Sequence, residues 1–440
     1  MMLLYIKNKE ILKQVQNDRK NIKRFRFSFF IFHFSFILSF FNFVFSQDKL
    51  EDYIKIAIEN HPKLQADSLQ YQAILESVNE VGNIMDTQFS GGVFLSTPET
   101  RVGPQNVKLG AKQQFPWLGT QKAQKEVVKT QADVQLERIR DTQFQLRYKT
   151  QLSYYQLSET EQKIVILKEN LALLDTYERL ALKNLENNLA TMADVLKIRM
   201  SKNELNTQIE NEKSNLEVQK RDFNRMLYRN REEFIQIEPL EELVNLPLLD
   251  SLSNFENHPL VNRFEKERTV LEKESQANQK ESLPKVGFGL DYVLVSERSD
   301  LNVADNGKDI VMPMVSLSIP LFNKKYKAKA KRLQIQNEAN YLAEKDQIIT
   351  LENMLDNTLN QFVTSKKNVE TYNQNITESK RVQKLVITNY TTGRMDYDEI
   401  LEIQELTLRY QLLKIKELHS LYQQKALMEY LLTQNTNKNE

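Results

Sequence analysis

The 440-residue chain has no cysteine and only 10 glycines and 10 prolines. Without Cys there is no disulfide, no thiolate-held metal and no N-terminal cysteine to lipidate. An exported chain without Cys still suits the periplasm or the outer membrane. Glycine is what tight turns and phosphate-cradling loops require, because it adopts φ > 0 at no steric cost. Its scarcity argues against an enzyme built on such loops. A charge excess of either sign is also missing, with 60 Lys and Arg against 59 Asp and Glu, so nothing points to nucleic acid. After residue 46 no run of 18 apolar residues occurs. Any membrane span of the mature chain must therefore be made by strands. Gln, Asn, Leu, Lys and Glu dominate instead, a balance that favours long helices with polar faces.

Residues 1–46 read as a targeting segment. Lys7, Lys9, Lys13, Arg19, Lys20, Lys23, Arg24 and Arg26 precede an apolar run from Phe27 to Phe45, and Ser46 offers a small residue before a cleavage point. The competing reading is a membrane anchor, since the run approaches a bilayer span in length. Ser28, His33, Ser35, Ser39 and Asn42 inside it favour the signal peptide. Cleavage would leave a mature chain with a net charge of about −5.

The chain repeats itself. Asn60-His61-Pro62 recurs as Asn257-His258-Pro259, 197 residues later. Gln114-Phe115-Pro116-Trp117-Leu118-Gly119 recurs as Ser318-Ile319-Pro320-Leu321-Phe322-Asn323 at an offset of 204. Asn184–Leu196 recurs as Asn389–Leu401 at an offset of 205. Three landmarks in one order at nearly one spacing imply a tandem duplication, with units at 47–246 and 247–436 and a disordered tail at 437–440. Each unit opens with a helix at Asn-His-Pro, where Asn suits an N-cap and Pro the first turn. Apolar residues then follow at helical spacing, as in Leu64, Leu69, Ile74 and Val78.

Period-two alternation comes next, the signature of strands. Val107, Leu109, Ala111 and Phe115 interleave with Lys108, Gly110, Lys112 and Gln114; Val286, Phe288, Leu290, Tyr292 and Leu294 interleave with Lys285, Gly287, Gly289 and Asp291. The pattern predicts strand pairs at 84–96 with 106–115, and at 284–297 with 309–320, forming hairpins within 84–115 and 284–320. Each strand would be about 10–13 residues, enough to cross an outer membrane at a tilt. A small soluble sheet is the alternative, but the chain offers no apolar layer to cover the second face.

Each strand pair is followed by a stretch free of Pro and Gly, 120–189 and 323–392. At 1.5 Å per residue such a helix runs roughly 100 Å, the dimension of a coiled coil or helical tube rather than a globular domain. Asn187-Asn188 and Thr391-Thr392-Gly393 then break the helices, and returning helices follow at 191–228 and 397–432. Two long helical hairpins, 119–228 and 323–432, result. Asn and Gly suit such a turn because both accept left-handed backbone.

Four strands cannot close a barrel, and an open edge in lipid leaves backbone groups unpaired at several kcal/mol each. A membrane reading therefore demands oligomerisation. The Phe-Pro-Trp-Leu-Gly and Ile-Pro-Leu-Phe-Asn junctions, the duplicated unit, and the tips Asn-x4-Leu-x4-Asp-Val-Leu and Tyr-x2-Gly-x5-Glu-Ile-Leu resemble the TolC-type outer-membrane efflux proteins across residues 47–436. The resemblance implies a mainly α fold with a small β part: a homotrimer with a long α-helical barrel topped by a 12-stranded membrane β-barrel. It implies an outer-membrane channel of a Gram-negative bacterium, extending into the periplasm and set in outer-membrane lipid. A periplasmic adaptor and an inner-membrane pump of RND type would be its partners. Adaptor docking would carry over to Asn188, Leu189, Gly393, Arg394 and Met395. A periplasmic gate would carry over to Glu399 and Glu402, where the family more often has Asp; exposed helix-face charge is the other reading of these two. Lys108, Lys285 and Asp291 would line the barrel lumen.

No cofactor is expected, and no enzyme. Apart from His33 in the targeting segment the histidines are His61, His258 and His419. The first two sit at equivalent helix starts, which structure explains better than catalysis, and His419 is a lone His on a helix. Gly287-Phe288-Gly289 lies inside a strand and is no phosphate loop. Met192, Met312, Met314 and Met395 are scattered and read as packing residues. A protein-secretion channel and a periplasmic coiled-coil scaffold without channel activity remain the alternative functions.

Overall fold

The computed structural model describes residues 50–242, 255–300, 302–392 and 394–432. The targeting segment, the boundary between the two units, Gly393 and the tail lie outside them. Helices α1 (Leu50–Asn60) and α2 (Pro62–Glu80) lead into strands β1 (Gln88–Val93), β2 (Glu99–Thr100) and β3 (Gly103–Phe115). Helix α3 (Thr120–Glu186) and its return α4 (Met192–Met226) follow. After α5 (Pro259–Glu281) come β4 (Lys285–Val295), β5 (Ile310–Ser318), α6 (Lys324–Thr391) and α7 (Tyr397–Leu431).

The expected long helices are present at 67 and 68 residues, about 100 Å each. They are too long to be held by one core. Near the strands α3 packs against α2 and α5, and α5 against α6; further away α3 packs against α4 and α7, and α7 against α6. A row of four helices thus exists at every level. One apolar core, including Tyr53, Leu157, Phe223, Leu355 and Leu418, fills the middle of the row. A second, including Tyr177, Ile198, Tyr390 and Ile400, fills the distal end.

Two histidines carry the N-caps where Asn was expected. Asn60 instead ends α1. His61 Nδ1 accepts from Lys63 N at 3.2 Å, and His258 Nδ1 accepts from Leu260 N at 3.3 Å. The imidazole satisfies the N–H just after the proline, which itself has none to satisfy.

The two strand pairs join as one antiparallel sheet in the order β1-β3-β4-β5, with β2 beside β3. The β3–β4 seam runs from Gln105↔Val295 to Phe115↔Val286 and links the two halves of the chain. Strand β1 is shorter than expected, at 6 residues. Gln113 takes over where its ladder stops: its Nε2 donates to Met85 O at 2.6 Å, and its Oε1 accepts from Thr87 Oγ1 at 2.5 Å. At the far end β3 opens on Gly103, where φ is +129° and a Cβ would meet Ser296 O at 1.9 Å, so glycine is required. Gly119 caps α3 with φ +86° and turns the strand into the helix.

A strap after α4 was not foreseen. Residues 235–242 run without regular structure across α1, α3 and α7, yet side chains satisfy three of their N–H groups. Gln236 N donates to Tyr53 Oη and Glu238 N to Tyr154 Oη, both at 2.9 Å, and Glu241 N donates to Tyr422 Oη at 3.1 Å. Tyrosine hydroxyls on three helices thus substitute for a ladder.

Candidate channel surfaces: a two-faced sheet and two helical tips

Register sorts the strand residues into two faces, because directly opposed residues share a side. Ser90, Gly110, Asp291 and Met312 lie in one cross-strand row; Gln88, Lys112, Gly289 and Met314 in another; Gly92, Lys108 and Val293 in a third. Lys285 and Ser318 continue the same face. Lys108 forms an ion pair with Asp291, which is only 4 % exposed. Gly110 makes room for that carboxylate: a Cβ there would stand 2.6 Å from Asp291 Oδ1 and 2.7 Å from Ser90 Oγ. The structure therefore brings Lys108, Lys285 and Asp291 onto one polar face, as the alternation required.

The opposite face is apolar and open. Phe89, Leu109, Leu290 and Val311 lie on it, with Phe115, Phe288 and Val315 toward the helices. Phe89 is 81 % exposed and Val315 75 %. Phe115 meets Phe288 edge-on at 6.0 Å. Among the described residues no element packs on this face, and β1 and β5 each pair along one edge only. No described helix is long and apolar enough to cross a membrane; the sheet carries the large exposed apolar surface instead.

The far ends of the long helices form two adjacent tips. At the first, Asn188 has φ +58°, and Leu189 N returns to Asn184 O at 2.8 Å, closing α3 with the six-to-one bond of a left-handed terminus. Thr191 and Asp194 then start α4 with reciprocal caps: Thr191 N donates to Asp194 Oδ2 at 2.8 Å and Asp194 N to Thr191 Oγ1 at 3.3 Å. At the second tip Arg394 N donates to Asn389 O at 3.0 Å. The tips touch. Asn184 Nδ2 donates to Tyr390 O at 3.4 Å, and Lys197 Nζ reaches Asp398 Oδ1 at 2.6 Å.

Leu189 and Arg394 are exposed at these turns and Met395 is half-buried. Glu399 and Glu402 are both exposed on α7, on the side away from buried Ile400 and Ile403. With Glu405 they form an acidic stripe at helical spacing. The structure thus groups Asn188, Leu189, Arg394 and Met395 at one end and the three lumen candidates at the other.

Sequence reasoning passed over one group. His419 is no lone histidine: its Nδ1 lies 2.8 Å from Glu159 Oε2 between α7 and α3. Lys163 Nζ holds the other carboxylate oxygen at 2.7 Å. Burial pushes the Glu159 carboxyl up, but the His419 and Lys163 hydrogen bonds outweigh it and bring its pKa down to about 2. The separation of these partners in the sequence hides the pairing from any local pattern.

No family model and no curated relative matches the sequence. Solved structures do match in fold. The chain is similar to CusC, a protein of transmembrane channel formation, at TM-score 0.73 and 14% identity over 88% of this chain and 93% of that one. It is similar to the outer membrane protein VceC from Vibrio cholerae at TM-score 0.69 and 11% identity, over 88% and 96%. The CmeC outer membrane channel of Campylobacter jejuni matches at TM-score 0.64 and 13% identity, over 87% and 85%. The fold is that of TolC-type outer-membrane channels: mainly helical, with a small sheet at one end.

Proposed function

We propose that the protein is the outer-membrane channel of a tripartite efflux system, giving cargo passive passage from a pump–adaptor complex across the periplasm and outer membrane. The observation that carries this reading is the two-faced sheet with two free edges. Its apolar face matches lipid and its polar face an aqueous lumen. In hydrocarbon the edges of β1 and β5 must pair, and further copies of this chain supply the partners. Three copies give twelve strands and, below them, twelve helices at every level. That is the assembly the family resemblance implies, a homotrimer arising from a duplicated unit, with residues 1–46 as the exporting signal. The apolar face also disfavours a periplasmic scaffold, which would leave it in water.

In this assembly Lys108, Lys285 and Asp291 line the lumen. The tips at Asn188, Leu189, Gly393, Arg394 and Met395 receive the adaptor, which connects to an inner-membrane pump of RND type. Glu399 and Glu402 from each copy ring the periplasmic entrance. The protein performs no chemistry and carries no cofactor.

Fractionation and native mass spectrometry test the assembly. The mature protein is expected in the outer membrane as a trimer that conducts ions when reconstituted. Recovery as a folded monomer in the soluble periplasmic pool overturns the proposal. Docking is tested separately with Leu189→Glu combined with Met395→Glu, expected to abolish resistance while trimers remain.

A further inference from the structure

The polar face of the sheet is not electrically balanced. Four charged side chains lie on it, Lys108, Lys112, Lys285 and Asp291. Asp291 is taken by Lys108. Lys112 and Lys285 have no carboxylate partner among the described residues. Lys112 leans across Gly287, two residues from Lys285 on the same face of β4: its Cε lies 3.6 Å from where a Cβ on that glycine would be. Just below the sheet, Lys280, Lys285 and Lys325 border one cavity of about 230 Å³ whose only acid is Glu281. That carboxylate is already engaged by Gln124 at 2.8 Å and by Lys329 at 3.7 Å. From that level α6 opens on Lys-Lys-Tyr-Lys-Ala-Lys-Ala-Lys-Arg, residues 324–332, with no acid among them.

The acids of α7 cannot compensate. Asp398, Glu399 and Glu402 sit at the opposite end of the long helices, some 100 Å away at the helical rise. Salt screens charge within about 8–10 Å. The two ends of the conduit are therefore electrically independent, one acidic and one basic.

We propose that the membrane end of the conduit is an anion-binding ring, with Lys112 and Lys285 from each copy as its selectivity residues, and that the exit favours anionic cargo bearing carboxylate or phosphate groups. This rests on the channel reading above. Inside a closed barrel the lysines converge on a confined aqueous space with low-dielectric walls, where fields of one sign are focused. Free lysines crowded together bind a polyvalent anion by sharing its charge, at the least cost in mutual repulsion. Asp291 holds Lys108 out of this ring and fixes where the free charge begins.

Inositol hexakisphosphate is a suitable probe, with hexaamminecobalt as the cationic control. Titration into purified detergent-solubilised trimers, followed by calorimetry, is expected to show polyanion binding that depends on Lys112 and Lys285, while the cation binds only at the acidic entrance and independently of them. The double variant Lys112→Gln, Lys285→Gln should weaken polyanion binding at least tenfold while trimers and outer-membrane targeting persist. In planar bilayers the same probe should block current when added from the barrel side, and the variant should relieve the block. Unchanged polyanion affinity in the double variant, or cation binding that falls with it, overturns the inference while leaving the channel reading in place. A soluble monomer that never inserts overturns both.

Discussion

Glu159 on α3 and His419 on α7 meet at 2.8 Å in the interior of the helical row. Gln156 Nε2 donates to the same carboxylate oxygen at 3.1 Å. A buried carboxylate with this many donors is an interhelical bolt whose worth lies in its completeness, since removing one partner leaves charge unpaired. His419→Leu is expected to destabilise the protein by about 1–3 kcal/mol, read as a lower thermal midpoint at pH 7. The acid profile follows from the lowered carboxyl pKa. The stabilisation is present above the unfolded value of 4.5 and is lost as pH falls toward about 2. Glu159→Gln should flatten the melting curve across that window. A wild-type midpoint that does not fall there contradicts the assignment.

His258 gives a separate signal at milder pH. Burial lowers its pKa to about 4 from 6.5, so the folded protein holds it neutral while the unfolded chain takes up a proton. Stability is therefore full above 6.5 and declines as pH drops toward 4. His258→Asn keeps a capping acceptor ahead of Pro259 and should retain the midpoint at neutral pH but lose the decline between 6.5 and 4. His258→Ala should cost about 1 kcal/mol at neutral pH, the usual worth of a cap, and its deficit against the wild type should narrow toward pH 4.5 because it too lacks the titrating imidazole. Melting series from pH 7.5 to 4.5 separate the three proteins.

The apolar sheet face predicts where charge is forbidden. Val315→Lys puts an ammonium on the surface proposed to meet lipid, at a cost of about 2–4 kcal/mol if the site lies near the bilayer midplane. Outer-membrane recovery should drop several-fold while helical circular dichroism is unchanged. Ser316→Lys, one residue on and on the polar face, should insert normally. Equal recovery of both variants contradicts the assignment of faces.

The tips make a fourth test. The Lys197–Asp398 contact is exposed, with side chains 45 % and 66 % accessible, so it is a weak tether that salt screens. Lys197→Asp should leave the thermal midpoint nearly unchanged yet raise single-channel conductance by loosening the two tips. The exchange variant Lys197→Asp, Asp398→Lys should return conductance to its starting value. A rise that persists in the exchange variant excludes this contact as the tether.

Local chemistry wrote much of this protein into its sequence. Helix lengths follow from the absence of Gly and Pro over 120–189, because a helix continues until something stops it. The first tip turn follows from Asn188, which accepts left-handed backbone. The two sheet faces follow from the alternation along most of β3 and β4. Other features depend on residues far apart in the chain. Strand β1 stops early because Gln113, on its neighbour, satisfies the backbone that a ladder would have used. The β3–β4 seam, the tyrosine strap, the Glu159–His419 bolt and the meeting of Asn184 with Tyr390 all join segments dozens to hundreds of residues apart. A periodic pattern says which face of an element is buried, but not against what; only the packing of one element on another selects the partner.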